Sequence, residues 1–225
     1  MTGQLKFRAG KWGSAETGDL YGLPILQVQA DPQGRFGEFR LRRAGRKLCS
    51  AGALQVLVPN GFERWDVLNR CGVAAVDPIP LLRAHGAGFA LEMLRRQGRV
   101  PERATVALRG VRADRDMERA AVRLCRQVRH LVISAPEGGP ELAHWLRRQY
   151  GMPILPPEEG AQVAVCFEPV PSAAEATLGL YGKMPDLEGM KLTAPELKKE
   201  DKSDLSLLFV LWKGGILQES DLKIT

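Results

Sequence analysis

The densest group of chemically capable side chains is the stretch Arg109-Gly110-Val111-Arg112-Ala113-Asp114-Arg115. Three guanidinium groups and a glycine stand just before a segment with helical spacing. The free N–H groups and dipole of a helix N-terminus favour an anion. Arginine adds a planar fork that can grip phosphate or carboxylate at two points. The chemistry is therefore binding of a small anion, with Arg109, Gly110, Arg112 and Arg115 as contacts. A competing reading needs no ligand: Asp114 or Asp116 caps the helix, and the arginines are solvated as charged loop residues usually are.

Two further loops join it as candidate ligand-binding positions. Asn60 and Gly61 follow an apolar run at Ala53–Val58, and Ser134 and Gly138 follow another at His130–Ile133. Glycine at 138 would let backbone approach a ligand closely, or would merely cap a helix that has Pro140 in its first turn. No catalytic residue stands out. A G-x-G-x-x-G turn is missing, since Leu108 to Ala113 holds one glycine where a dinucleotide loop needs three, and no Walker loop or G-x-S-x-G elbow occurs. His85 and His130 have no carboxylate at helical spacing to orient them, and His144 lies in a helix-patterned segment where a histidine is more often structural. Cys49, Cys71, Cys125 and Cys166 form no Cys-x-x-Cys pair and lie near no histidine at zinc-ligand spacing. Neither a cofactor nor a metal is expected. Catalysis stays open, because a site built from single residues on separate loops leaves no motif.

The elements that position these loops follow from hydrophobic spacing. Continuous apolar runs at Ala53–Val58, Val73–Val76, Thr105–Leu108, His130–Ile133, Pro153–Leu155 and Gln162–Phe167 alternate with helix-length segments. Such runs, apolar on both faces, are characteristic of parallel strands covered on both sides. Between them, Met117, Ala120, Ala121, Leu124 and Cys125 recur at helical spacing. The pattern predicts an α/β fold with a doubly wound, mainly parallel sheet of the three-layer Rossmann or flavodoxin type. A flavodoxin-like order 2-1-3-4-5 would bring the Asn60 and Arg109 loops together where the winding reverses. Ahead of this, Asp31-Pro32-Gln33-Gly34 has type I turn chemistry and predicts a β-hairpin joining Ile25–Val28 to Phe36–Leu41. Near the end, Leu205, Leu208, Phe209 and Trp212 predict a helix over 203–213, closed by Gly214-Gly215. The expected organisation is an N-terminal hairpin region over 1–42, a Rossmann-like domain over 43–168 and a C-terminal extension over 169–225.

With 225 residues, 44% hydrophobic and 26% charged, the chain has globular composition. No apolar leader or membrane-length run occurs, which predicts a cytoplasmic protein without a membrane partner. Residues 1–150 carry 25 Lys and Arg against 14 Asp and Glu, and residues 151–225 carry 7 against 12. Arg40, Arg42, Arg43, Arg46 and Lys47 form a basic run with no interleaved aromatic, which disfavours nucleic acid as a partner. Two functions are therefore expected. The first is a non-catalytic scaffold or partner-binding module, with a second copy of the chain as one partner. The alternative is a binder of a small anionic or nucleotide-like ligand at the carboxyl edge of the sheet.

Overall fold

A computed structural model describes residues 2–9, 12–157 and 159–225. The chain divides into two compact units, one of Met1–Pro78 with Glu196–Asp221 and one of Ile79–Pro195 with Leu222–Thr225. Residues 43–78 and the helix near 205 thus group with the N-terminal strands. Residues 79–168 group with most of the segment that follows them.

In the first unit, β1 (Thr2–Phe7), β2 (Trp12–Leu20), β3 (Leu23–Ala30), β4 (Gln55–Leu57) and β5 (Ala74–Ala75) form a sheet in the order β2-β3-β1-β4-β5. Only β2 runs antiparallel to its neighbour. It is joined to β3 by Tyr21 and Gly22, both at positive φ, 54° and 87°. A two-residue turn of that hand matches the twist of paired strands, so a hairpin forms here. The hairpin expected around residues 31–34 does not form. Its turn exists, with Asp31 Oδ1 accepting from Gln33 N at 3.0 Å and Gly34 at φ 73°, but it leads into helix α1 (Gly37–Ser50). Phe36 and Phe39 are exposed there, while Leu41, Ala44 and Leu48 are fully buried against Leu5, Val28 and Val56. The buried stripe of α1 is completed by small residues, Gly37 and Gly45, which carry little hydrophobic signal. Helices α2 (Trp65–Asn69) and α7 (Leu205–Lys213) complete this unit. Helix α7 follows the expected span, and the Asp204 carboxylate caps it by accepting from Leu207 N at 3.1 Å.

In the second unit the helical stretch that begins at Ile79 is broken at His85 into α3 (Ile79–Ala84) and α4 (Gly86–Arg96). The chain then alternates through β6 (Thr105–Arg109), α5 (Arg115–Leu124), β7 (His130–Ser134), α6 (Gly139–Tyr150), β8 (Ile154–Leu155), β9 (Val163–Cys166) and β10 (Ala176–Gly179). All five strands pair in parallel, in the order β10-β9-β6-β7-β8. Counted from β6 this is 3-2-1-4-5, the Rossmann winding. The flavodoxin-like order is therefore corrected: the run at 53–58 pairs with β1, and the run at 73–76 pairs with β4, both in the other sheet. Because β6 opens a new sheet, its winding reverses between β6 and β9, not beside the Asn60 loop. The core strands are apolar on both faces. Val106, Leu108, Leu131, Val163 and Val165 are fully buried, as are Ala107, Val132 and Ala164, and the latter three pack with the partly buried Val170 and Tyr181. Close approach of α4 explains one glycine: a Cβ on Gly86 would lie 3.2 Å from Leu180 Cδ1. Strands β11 (Leu192–Thr193) and β12 (Lys223–Ile224) form a small antiparallel pair. Among the described residues, no helix is long and apolar enough to cross a membrane.

Candidate functional site

Ligands of open parallel sheets lie outside the carboxyl ends of the strands, where winding reverses. In the second unit that place lies between the ends of β6 and β9, formed by Gly110–Asp114 on one side and Phe167–Glu168 on the other. The backbone N–H groups of Val111 and Arg112 point to this gap, and both donate to Glu168 Oε2, at 2.5 and 3.1 Å. A carboxylate of the chain itself thus occupies the seat where a bound anion would accept these bonds. Gly110 is buried beneath it, since a Cβ there would sit 3.2 Å from Glu168 Oε2 and 3.1 Å from Met117 Cε. A Cβ at 110 would require the Met117 methyl and the Glu168 carboxylate to give way by a few tenths of an ångström.

The other side of the 110–114 loop is tied down as well. Gly110 N donates to Ser134 O at 3.0 Å, Glu137 N to Val111 O at 3.1 Å and Ala113 N to Glu137 O at 2.8 Å. These bonds continue the β6–β7 pairing past the strand ends. Below the loop, Asp114 Oδ1 caps α5 by accepting from Asp116 N and Met117 N, each at 3.0 Å. Its Oδ2 faces Arg83 Nη2 at 3.2 Å, and the same Arg83 nitrogen donates to Phe167 O at 2.9 Å. Arg83 therefore links α3, the α5 cap and the end of β9.

The three arginines do not converge. Arg109 Nη2 donates to Pro157 O at 3.3 Å, and Arg112 Nε pairs with Glu137 Oε2 at 3.0 Å on the surface. Arg115 is exposed on the first turn of α5. Ser134 ends β7 and borders the Arg112 loop through its bond from Gly110 N; Gly138, at φ 75°, precedes α6, and a Cβ there would lie 3.6 Å from Ala113 Cβ. Asn60 and Gly61 belong to the first unit. They line a cavity of about 210 Å³ beyond the end of β4, beside Phe62 and Trp65, whose rings meet edge-on at 5.1 Å.

Sequence reading missed Glu168 and Arg83, and also Arg147, whose Nη2 donates to Ile154 O at 2.8 Å. Glu168 carried a usable signal, for it is the first residue beyond an apolar run, where a parallel strand delivers its carboxyl end. Arg83 and Arg147 lie within helical patterns that give no hint of what they reach across to.

Of the histidines, His85 is buried with Nδ1 2.9 Å from Leu81 O, His130 begins β7 and His144 is exposed on α6. Among the described residues, no three His, Cys, Asp or Glu side chains are grouped to hold a metal ion. The four thiols are free. Burial raises the Cys166 thiol, and the Arg109 guanidinium partly offsets that. Burial pushes the Cys125 thiol up to about 11. An unfolded thiol ionises near pH ~8.5, so the contribution of Cys125 to stability is complete below that pH and is lost as pH rises toward 11. At pH 8, iodoacetamide is expected to alkylate Cys125 much more slowly in the native than in the urea-unfolded chain, read by peptide mass mapping. Equal rates would contradict the burial of its sulfur.

No protein-family model matches the chain, and no curated protein matches it. Among solved structures it is similar to L-tryptophan dehydrogenase from Nostoc punctiforme, at 16% identity and a TM-score of 0.33. That match covers 64% of this chain, which spans only 44% of the dehydrogenase chain.

Proposed function

We propose that the protein is a non-catalytic scaffold or partner-binding module whose Rossmann-like unit keeps the winding and has given up the anion site. The observation that carries this reading is Glu168, whose carboxylate takes both loop N–H groups that a phosphate would need. An incoming phosphate would have to displace a tethered carboxylate and then sit beside its negative charge. Like charges a few ångströms apart repel by about 1 kcal/mol or more even in a watery setting. Of the loop's guanidinium groups, Arg112 already has an acidic partner in Glu137 and Arg109 donates to Pro157 O. A second copy of the chain is the simplest partner. A reducing, cytoplasmic setting fits the four free thiols.

The test is a thermal-shift screen of the wild-type chain with NAD+, NADP+, FAD and ATP. A ligand at a hundredfold excess over its Kd stabilises by about 2.7 kcal/mol, a shift of several degrees. The expected result is no shift with any of them, with a solution mass above the 24.7 kDa of one chain. A saturable shift with a dinucleotide, lost in Arg112→Ala, would overturn the reading.

A further inference from the structure

We propose that a cleft at the outer edge of the second unit, away from Glu168, binds a flat, largely apolar carboxylic acid, with the carboxylate held by Arg147. The cleft has a volume of about 490 Å³ and lies between the ends of β7 and β8 and the first turns of α6. That is within the range of small-molecule sites, and the cleft lies beyond the carboxyl ends of β7 and β8, apart from the β6–β9 reversal.

Four prolines, Pro136, Pro140, Pro156 and Pro157, line its walls. Proline rings are flat and apolar, and their backbone φ is already fixed, so a ligand orders little of the wall on binding. These surfaces suit the face of a ring system. Among the described residues of the lining, Ser134 and Arg147 carry the polar side chains. Among the described residues the cleft thus offers the positive charge of Arg147 over apolar walls, which suits an anionic head on an apolar body.

Arg147 is prepared for that head. Its Nη2 donates to Ile154 O at 2.8 Å, which fixes the side chain across the gap from α6 to β8. That bond uses one of five guanidinium N–H donors. No carboxylate pairs with Arg147 among the described residues, so the remaining fork is open to a planar carboxylate. The Ser134 hydroxyl, on the same lining, supplies a second hydrogen bond. A nucleotide fits poorly, since several phosphate charges would face one guanidinium and no glycine-rich loop.

The test is calorimetric titration of the full chain with 2-naphthoate and with the uncharged 2-naphthalenemethanol. The wild type is expected to bind 2-naphthoate at one site, and the alcohol more weakly. Arg147→Met keeps the apolar stem and removes the charge; it should weaken 2-naphthoate at least tenfold and leave the alcohol unchanged. Ala143→Phe, which fills the cleft, should abolish both. Arg147 is exposed, so its variant keeps the test decisive whether or not Ala143→Phe folds. No saturable binding of 2-naphthoate by the wild type would overturn the proposal, as would equal affinity in Arg147→Met or equal weakening of both compounds. Glu168→Ala should bind 2-naphthoate as the wild type does, which separates this site from the reading of the loop between β6 and β9.

Discussion

Replacing Gly37 by alanine is expected to destabilise the first unit by roughly 2–3 kcal/mol, the cost of forcing an extra carbon into a closed contact. Gly37 is the first residue of α1, where alanine would ordinarily gain about 1 kcal/mol of helix propensity. Here that gain is outweighed. A Cβ at 37 would lie 2.0 Å from Pro32 O and 2.5 Å from its carbonyl carbon, and both are backbone atoms. The carbonyl cannot swing aside freely, because Arg64 Nη1 donates to it at 3.1 Å. The turn is held further by Asp31, whose Oδ2 pairs with Arg40 Nη1 at 2.9 Å. Relief must come from moving α1, which draws Leu41, Ala44 and Leu48 away from β1 and β3. Urea unfolding is the measurement, with a lower midpoint at an unchanged slope. A midpoint equal to or above wild type would mean that the turn is looser than described.

The largest expected loss is in the other unit. Leu108 is fully buried at the centre of β6, in register with Ile133 of β7 and Val165 of β9. Leu108→Ala removes three carbons where strands on both sides limit collapse, so roughly 3–4 kcal/mol is expected. For a chain of this size that lowers Tm by about 10 °C. Leu54→Ala, at a side chain 57% exposed, is the matched control and should change stability by less than about 0.5 kcal/mol. Equal effects of the two substitutions would refute the placement of β6 at the centre of its sheet.

The middle of the chain was legible because its strands are buried on both faces. Thr105–Leu108, His130–Ile133 and Gln162–Phe167 are continuously apolar, and β6, β7 and β9 lie on them. Helix α5 was legible from Met117, Ala120, Ala121 and Leu124, all buried as the spacing requires. The N-terminal region misled for a physical reason. Phe36 and Phe39, the most apolar side chains after the turn, face solvent, and the stripe that enters the core includes glycine and alanine. Sheet membership was not written locally at all. That β4 pairs with β1, across some fifty residues, depends on the second edge of β1 being available and not on any feature of residues 53–58. The arginines of 109–115 are plain in the sequence, but the groups each one reaches are not. Whether a guanidinium awaits a ligand depends on acids and carbonyls distant in sequence, such as Glu137 and Pro157.

Titration of inorganic pyrophosphate into the wild-type and Glu168→Ala chains tests most directly whether an internal carboxylate fills the anion seat. No saturable heat from the wild type and one weak, saturable site in the variant is the expected result, since only the variant leaves the Val111 and Arg112 N–H groups without an acceptor. Binding by the wild type as tight as by Glu168→Ala, or none by either, would contradict it.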